Sequence, residues 1–389
     1  MKKLAQIEKT LPLIGNMLLP AFLFAFALLS FCLRGTYSSG LMTLLHVGFY
    51  LLSFAGFLTL LYFNRSKPVF MFLLIVLCYT LINYLKHSQD GAYLQSPAYI
   101  SLSTLIPLNL LFFYFWPPKP LLCRTNVWLL LIIFAQYALA EQLAHRGIGL
   151  GFSLTGAAAT LNIAALLLFL ALLATTLINA VRSGSISDYN FFFAYLSLML
   201  AFYYSDTASG LSVFSFTAVL CLLSALLQNL YNETYKDPLT GLDSRNSYII
   251  HAKTFPLKYS IGIVSIDDYD KLGINFGRRT QNILTKLIAG QIIELEKDES
   301  IYRYSPDEFV IVYKNLDKNE GFERLETIRR AIASAQFQFS PRRKPIKLTV
   351  SASISEKKRS DANSFEVLVR ADKVLQKTRS FSHNVTSKA

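Results

Sequence analysis

A chain of 389 residues can hold one large domain or two ordinary ones, and 53% hydrophobic against 16% charged residues suggests a mixture, so the question is where the apolar residues sit. Four cysteines, each in or beside an apolar run and none close to another, and five scattered histidines exclude a disulfide framework and a zinc cluster. The net charge of +13 suits anionic lipid as a neighbour, and with no basic helix interleaved with aromatics nucleic acid is not an expected partner.

Up to about Tyr231 long apolar runs follow one another with few charges, whereas beyond Lys236 Lys, Arg, Asp and Glu become frequent. The predicted organisation is a membrane domain at 1–231, a short junction at 232–236, a second domain at 237–384 and a tail at 385–389. Apolar runs of about 17 to 25 residues match the hydrocarbon thickness, because a helix satisfies its own backbone hydrogen bonds there. Eight candidates lie near residues 12–33, 42–63, 69–86, 98–116, 126–143, 160–181, 190–204 and 211–231. The seventh is short and the fourth contains Pro107, so six to eight crossings stay open. The first run is longer than a signal-peptide core and lacks a small-residue cleavage site, so it reads as a retained anchor.

Positively charged loops stay in the cytoplasm. Lys2, Lys3, Lys9, Arg65, Lys67, Lys119, Arg124 and Arg182 fall on one side under the eight-helix reading, against Arg34, Lys86 and Arg146 on the other. The bias predicts an inside N-terminus, and an even helix number puts the second domain inside too. Glu141, His145 one helical turn on, and Asp206 fall at the predicted outer surface. They read either as a sensor site for an external ligand or as interfacial side chains reaching water. Asn16, Asn83, Asn109, Asn162 and Asn179 are candidates for hydrogen bonds between helices.

In the second domain Ser260–Asp267 reads as a strand, Tyr269–Leu295 as a helix, and Ile301–Tyr304 with Glu308–Tyr313 as a hairpin around SPDE. Gly321–Ala335 is helical, Lys347–Ile354 alternates as a strand, and Phe365–Arg379 closes as an amphipathic helix. The layout is βαββαβ, a ferredoxin-like α+β core with an antiparallel-containing sheet and helices on one face.

Four motifs then fall in order. Asp237–Arg245 reads DPLTGLDSR, Ser265–Asp270 reads SIDDYD, Arg303–Phe309 reads RYSPDEF and Ala371–Arg379 reads ADKVLQKTR. They resemble DxLTGLxNR, DxDxFK, RxGGDEF and ADxALYxAK of the GGDEF domain of diguanylate cyclases, and the resemblance covers residues 237 to about 384. It implies a fold that joins two GTP molecules into cyclic di-GMP across a dimer. Two carboxylates there hold Mg²⁺ or a similar divalent ion against phosphate, and a glycine pair lets the backbone approach the nucleotide.

Position by position, much of that equipment is changed. The first metal carboxylate falls on Ser265, the guanine contacts fall on Gly273 and Asn282, and the hairpin glycines are Ser305 and Pro306. Asp307 and Glu308 survive as remnants of the catalytic and metal positions. Asp267, two residues beyond Ser265 on the same strand face, is a candidate substitute metal ligand. Arg379 and His383 align with phosphate-approaching bases one turn apart on the last helix, where a solvated helix face explains them equally. The product-inhibition motif RxxD falls on Glu296–Glu299, EKDE, whose acidic first residue opposes an anionic product. Between the last apolar run and Asp237 only Asn232–Lys236 remain, too few for a dimerising stalk, so an oligomer would form through the membrane part.

The expectation is a multi-pass protein of the bacterial inner membrane with a degenerate GGDEF domain, acting through a protein partner or through GTP binding. The alternative is an active divergent cyclase that uses Asp267 and Mg²⁺.

Overall fold

The computed structural model describes residues 2–33, 37–64, 66–88, 92–117, 119–121, 123–150, 161–337 and 345–389, and their side chains except those of 2–16, 92 and 208. Arg34, Arg65 and the first residue of the sixth predicted run lie outside the described residues, as do the side chains of Lys2, Lys3 and Lys9. The chain divides into two compact units, Met1–Asn229 and Leu230–Ala389.

The first unit is helical: α1 (Lys2–Cys32), α2 (Ser39–Tyr62), α3 (Ser66–Ser88), α4 (Pro97–Phe115), α5 (Arg124–His145), α6 (Ile163–Ser183), α7 (Ile186–Tyr203) and α8 (Ala208–Tyr235). Six of them, α2 to α6 and α8, are long and apolar enough to cross a membrane, and α1 holds a shorter apolar stretch at Met17–Cys32. The chain is a multi-pass membrane protein. Side-chain oxygens of Ser38, Ser96 and Asn162 accept from the amides of Leu41, Tyr99 and Ala165, so three helices begin at polar caps inside apolar sequence. Asn162 also donates to Ser103 at 2.7 Å, joining α6 to α4, and Asn179 donates to the Tyr114 hydroxyl at 2.9 Å. Asn162 and Asn179 therefore bond between helices, which needs no ligand, whereas Asn83 donates to the Tyr79 carbonyl within α3 and the side chain of Asn16 lies outside the described residues.

In the second unit the junction is itself helical, since α8 runs on to Tyr235. The carbonyls of its last residues accept from Ser244, Asn246 and Ser247. The elements that follow are β1 (Asp243–Ser244), α9 (Arg245–His251), β2 (Tyr259–Ile266), α10 (Tyr269–Phe276), α11 (Arg278–Leu295), β3 (Ser300–Arg303) and β4 (Glu308–Lys314). They are completed by α12 (Lys318–Ser334), β5 (Val350–Glu356), α13 (Ser364–Phe381) and β6 (Thr386–Lys388). The sheet runs β1-β3-β4-β2-β5-β6, with β3-β4-β2-β5 antiparallel throughout and β1 and β6 added in parallel at the edges.

Three expectations are corrected. The single helix over Tyr269–Leu295 is two, broken at Gly277, whose φ of 80° no L-residue adopts cheaply. Helices cover both faces of the sheet, not one. Val264, Ile266, Phe309 and Ile311 pack under α11 and α12, while Ile261, Ile263, Val310 and Val312 pack under α9 and α13. All eight residues of β2 are buried, as a strand covered on both faces requires. The predicted tail is built into the sheet, because β6 pairs with Ala352–Ile354 and the Ala389 amide donates to the Ile354 carbonyl.

Candidate functional site

The site grows from the register of two central strands. Ser265, next to the end of β2, pairs with Glu308 at the start of β4, and the Ile266 amide donates to the Asp307 carbonyl at 2.9 Å. The loop between β3 and β4 closes as a β-turn: the Glu308 amide donates to the Ser305 carbonyl, with Pro306 in the second position. No left-handed residue occurs in it. A ring with fixed φ thus makes an ordinary tight turn where the resemblance calls for glycines.

Arg303 holds this turn from below. Its guanidinium contacts both carboxylate oxygens of Asp237 at 2.9 Å and donates to the Pro306 carbonyl at 2.8 Å. Two motifs 66 residues apart are tied together by this pair, a contact that reading each motif separately did not reveal.

Arg379 reaches back from α13 to the same place. Its guanidinium donates to the Ser265 hydroxyl at 2.8 Å and lies 3.7 Å from Asp307, while Ser265 donates to Asp307 at 3.3 Å. Burial, and then the charges of Asp307 and Asp372, push the Glu308 carboxyl above its ordinary range. Asp267 is placed differently from the other acids. It is nearly buried and accepts from the Thr349 and Ser351 hydroxyls, each at 2.7 Å, and from the Asn384 amide at 3.0 Å. His383 lies beyond the end of α13, not on it, with Nδ1 3.4 Å from the same carboxylate.

A divalent metal does not fit this donor set. Ser265 offers a neutral hydroxyl, Asp307 already faces a guanidinium, and Asp267 accepts from three donors that fix it between β2, β5 and the segment before β6. Among the described residues no group of three His, Cys, Asp or Glu side chains is arranged to hold a metal ion.

Beside the turn, a cleft of about 790 Å³ is lined by Leu239, Gly273, Arg278, Gln281, Asn282 and Pro306, among others. Asn282 and Gly273 thus line one cleft. A β-carbon added at Gly273 would stand 3.0 Å from the Gln281 amide oxygen, and Gln281 donates to the Tyr269 carbonyl at 2.9 Å. Gln281 fills the space that a side chain at 273 would need, a residue for which the sequence carried no signal.

At the EKDE segment, Glu296 is buried and bound by Arg324 at 3.1 Å and the Tyr313 hydroxyl at 3.3 Å, and Arg324 also reaches Glu299 at 3.0 Å. Burial raises the Glu296 carboxyl despite these partners. In the membrane unit, Glu141 and His145 are exposed on the last turns of α5. Asp206 lies between α7 and α8 and accepts from the Thr207 amide. Among the described residues no hydrogen bond or ion pair joins these three.

Residues 234–384 match the family model described as diguanylate cyclase, GGDEF domain. The chain is 26% identical over 161 residues to diguanylate cyclase DgcP of Pseudomonas aeruginosa, which covers 39% of this chain and 24% of that protein. It spans about a quarter of that relative's length. Among solved structures it resembles the coiled coil and GGDEF domain of DgcB from Caulobacter crescentus, at 19% identity, 43% and 92% coverage and a TM-score of 0.40. It also resembles diguanylate cyclase SiaD of Pseudomonas aeruginosa, solved with its activator SiaC, at 14% identity, 66% and 91% coverage and a TM-score of 0.38. With the four motifs in order on a mixed sheet, residues 234–384 are a GGDEF domain of the diguanylate cyclase family, carried behind a helical membrane unit.

Proposed function

We propose that the chain is a signalling protein of the bacterial inner membrane, with both termini cytoplasmic, whose GGDEF domain makes no cyclic di-GMP and acts through contact with a protein partner. The observation that carries this reading is the Arg379 guanidinium, hydrogen-bonded to the Ser265 hydroxyl and 3.7 Å from Asp307. Cyclase chemistry needs a divalent ion between two carboxylates, to neutralise the phosphates and to lower the pKa of the attacking hydroxyl. A guanidinium is a permanent cation that donates hydrogen bonds but offers no coordination position to a hydroxyl or a phosphate oxygen, so it does not replace Mg²⁺. Asp267 is no substitute, since its oxygens already bind three donors within the fold. One observation favours a second reading, GTP binding without turnover: the cleft beside the turn presents Asn282 and Arg278 together.

The test is cyclic di-GMP formation by the full chain in nanodiscs with GTP and Mg²⁺ or Mn²⁺, beside a variant with Asp307→Ala and Glu308→Ala. The expected result is no product from either, with an active family member as control, and GTP binding scored on the same samples. Product that disappears in the variant would overturn the non-catalytic reading.

A further inference from the structure

A second concavity, of about 570 Å³, lies between α9, the segment leading into β2 and the start of α13. It shares no lining residue with the cleft beside the turn. Its apolar surface comes from Phe255, Tyr304, Phe365 and Ile249, and the last two are 55% and 52% exposed in a domain with a complete core of its own. Its rim carries Arg245, Lys253 and Lys357, and no carboxylate lines it. The Arg245 guanidinium lies 4.8 Å from the Tyr304 ring centroid and the Lys357 ammonium 5.6 Å from that of Tyr259. Among the described residues none of the three cations is in an ion pair.

Part of the polar lining is engaged within the fold. The Tyr248 hydroxyl donates to the Ser364 carbonyl, and Asn363 accepts from the Phe365 and Glu366 amides. The Ala362 amide donates to Glu366, and Asp361 is bound by Arg370. An apolar floor under an unpaired cationic rim remains. A bilayer presents a flat surface that cannot enter the concavity, whereas a protruding side chain flanked by carboxylates fits both floor and rim.

We propose that this groove docks an acidic segment of a partner protein through an aromatic or leucine anchor. The proposal rests on the reading that the domain acts through protein contacts, and names the surface and the chemistry of the partner.

The test titrates the full chain, in nanodiscs of zwitterionic lipid, into a fluorescent Glu/Asp-rich peptide with one central Phe, read by anisotropy. Saturable binding is expected. It should weaken by about tenfold or more with Lys253→Glu and Lys357→Glu together, and by a similar factor when the peptide Phe becomes Ser. Arg279→Glu with Lys286→Glu, the same charge change on exposed positions of α11, should leave it within about twofold. Equal weakening by the α11 pair, or equal binding of the Ser peptide, would show a response to charge alone and overturn the proposal. So would binding to phosphatidylglycerol vesicles through Lys253 and Lys357 while the peptide stays free. Cyclic di-GMP assayed in parallel without peptide would sink the non-catalytic reading, and the titration would still decide the groove on its own.

Discussion

Asp237 opens the domain and is among its most constrained side chains. Besides Arg303 it accepts from the Thr240 amide and hydroxyl, each at 2.7 Å. Burial alone would raise its carboxyl, but the Thr240 bonds and the Arg303 guanidinium outweigh that and hold it below the ordinary range. The role is structural: the side chains of the pair are only 16% and 11% exposed, and Arg303 passes the constraint to the turn at Pro306. Asp237→Ala leaves a nearly buried guanidinium without its counter-charge, and a loss of about 3 kcal/mol is expected by denaturant-dependent pulse proteolysis. A loss below about 1 kcal/mol would mean that solvent screens the pair. The pH dependence has a definite sign. A carboxyl depressed in the folded state stabilises it above the unfolded pKa, about 4, and that stability is lost as pH falls through the folded value. Glu326, held by Arg329, and Asp361, held by Arg370, titrate at about 2, so with Asp237 they place the acid loss between about pH 4 and 2. Asp237→Asn should flatten that fall.

Elements in the domain meet through small residues as well as large ones. Gly321, in the first turn of α12, faces β5 so closely that an added β-carbon would lie 2.3 Å from Ile354 Cδ1. Gly321→Ala is expected to cost about 1–3 kcal/mol by overpacking, and Ile354→Val, which removes that atom, should restore most of the loss in the double variant. Additive losses in the double variant would point to helix entry and not to packing. Such contacts explain what the sequence could and could not disclose. β2 was legible as an unbroken run of β-forming residues, which a strand buried on both faces carries, and α11 by the hydrophobic stripe that its buried face writes at helical period. β1 and β6, two and three residues long, carry no period, and α9 is too short to show one. The motifs disclosed Ser265, Asp307 and Glu308. The hydrogen bond from Arg379 to Ser265 spans 114 residues, and the three donors that hold Asp267 come from β5 and its approach and from the segment before β6. Only the folded sheet brings these groups together.

At the scale of the whole molecule the organisation was the most legible feature, because a bilayer demands long apolar runs and a water-facing sheet domain does not. All eight predicted runs coincide with helices, with the boundary between units falling between Asn229 and Leu230. The proposed orientation follows from loop charge alone, and α5 tests it sharply. Its 22 residues rise about 33 Å, enough for one crossing, with Lys119, Cys123 and Arg124 at one end and Arg146 at the other. Cys78 and Cys221 are buried and should not react, so replacing the exposed Cys32 leaves Cys123 as the reactive thiol. In intact cells with the outer membrane permeabilised, a membrane-impermeant maleimide should spare Cys123 and label it only after lysis. With Cys123 also replaced, Arg146→Cys should be labelled without lysis. The reverse pattern would invert α5 and, under the eight-helix reading in which α6, α7 and α8 all cross, would carry the GGDEF domain out of the cytoplasm. There it would meet neither GTP nor a cytoplasmic partner, and the non-catalytic signalling reading would fall with the topology.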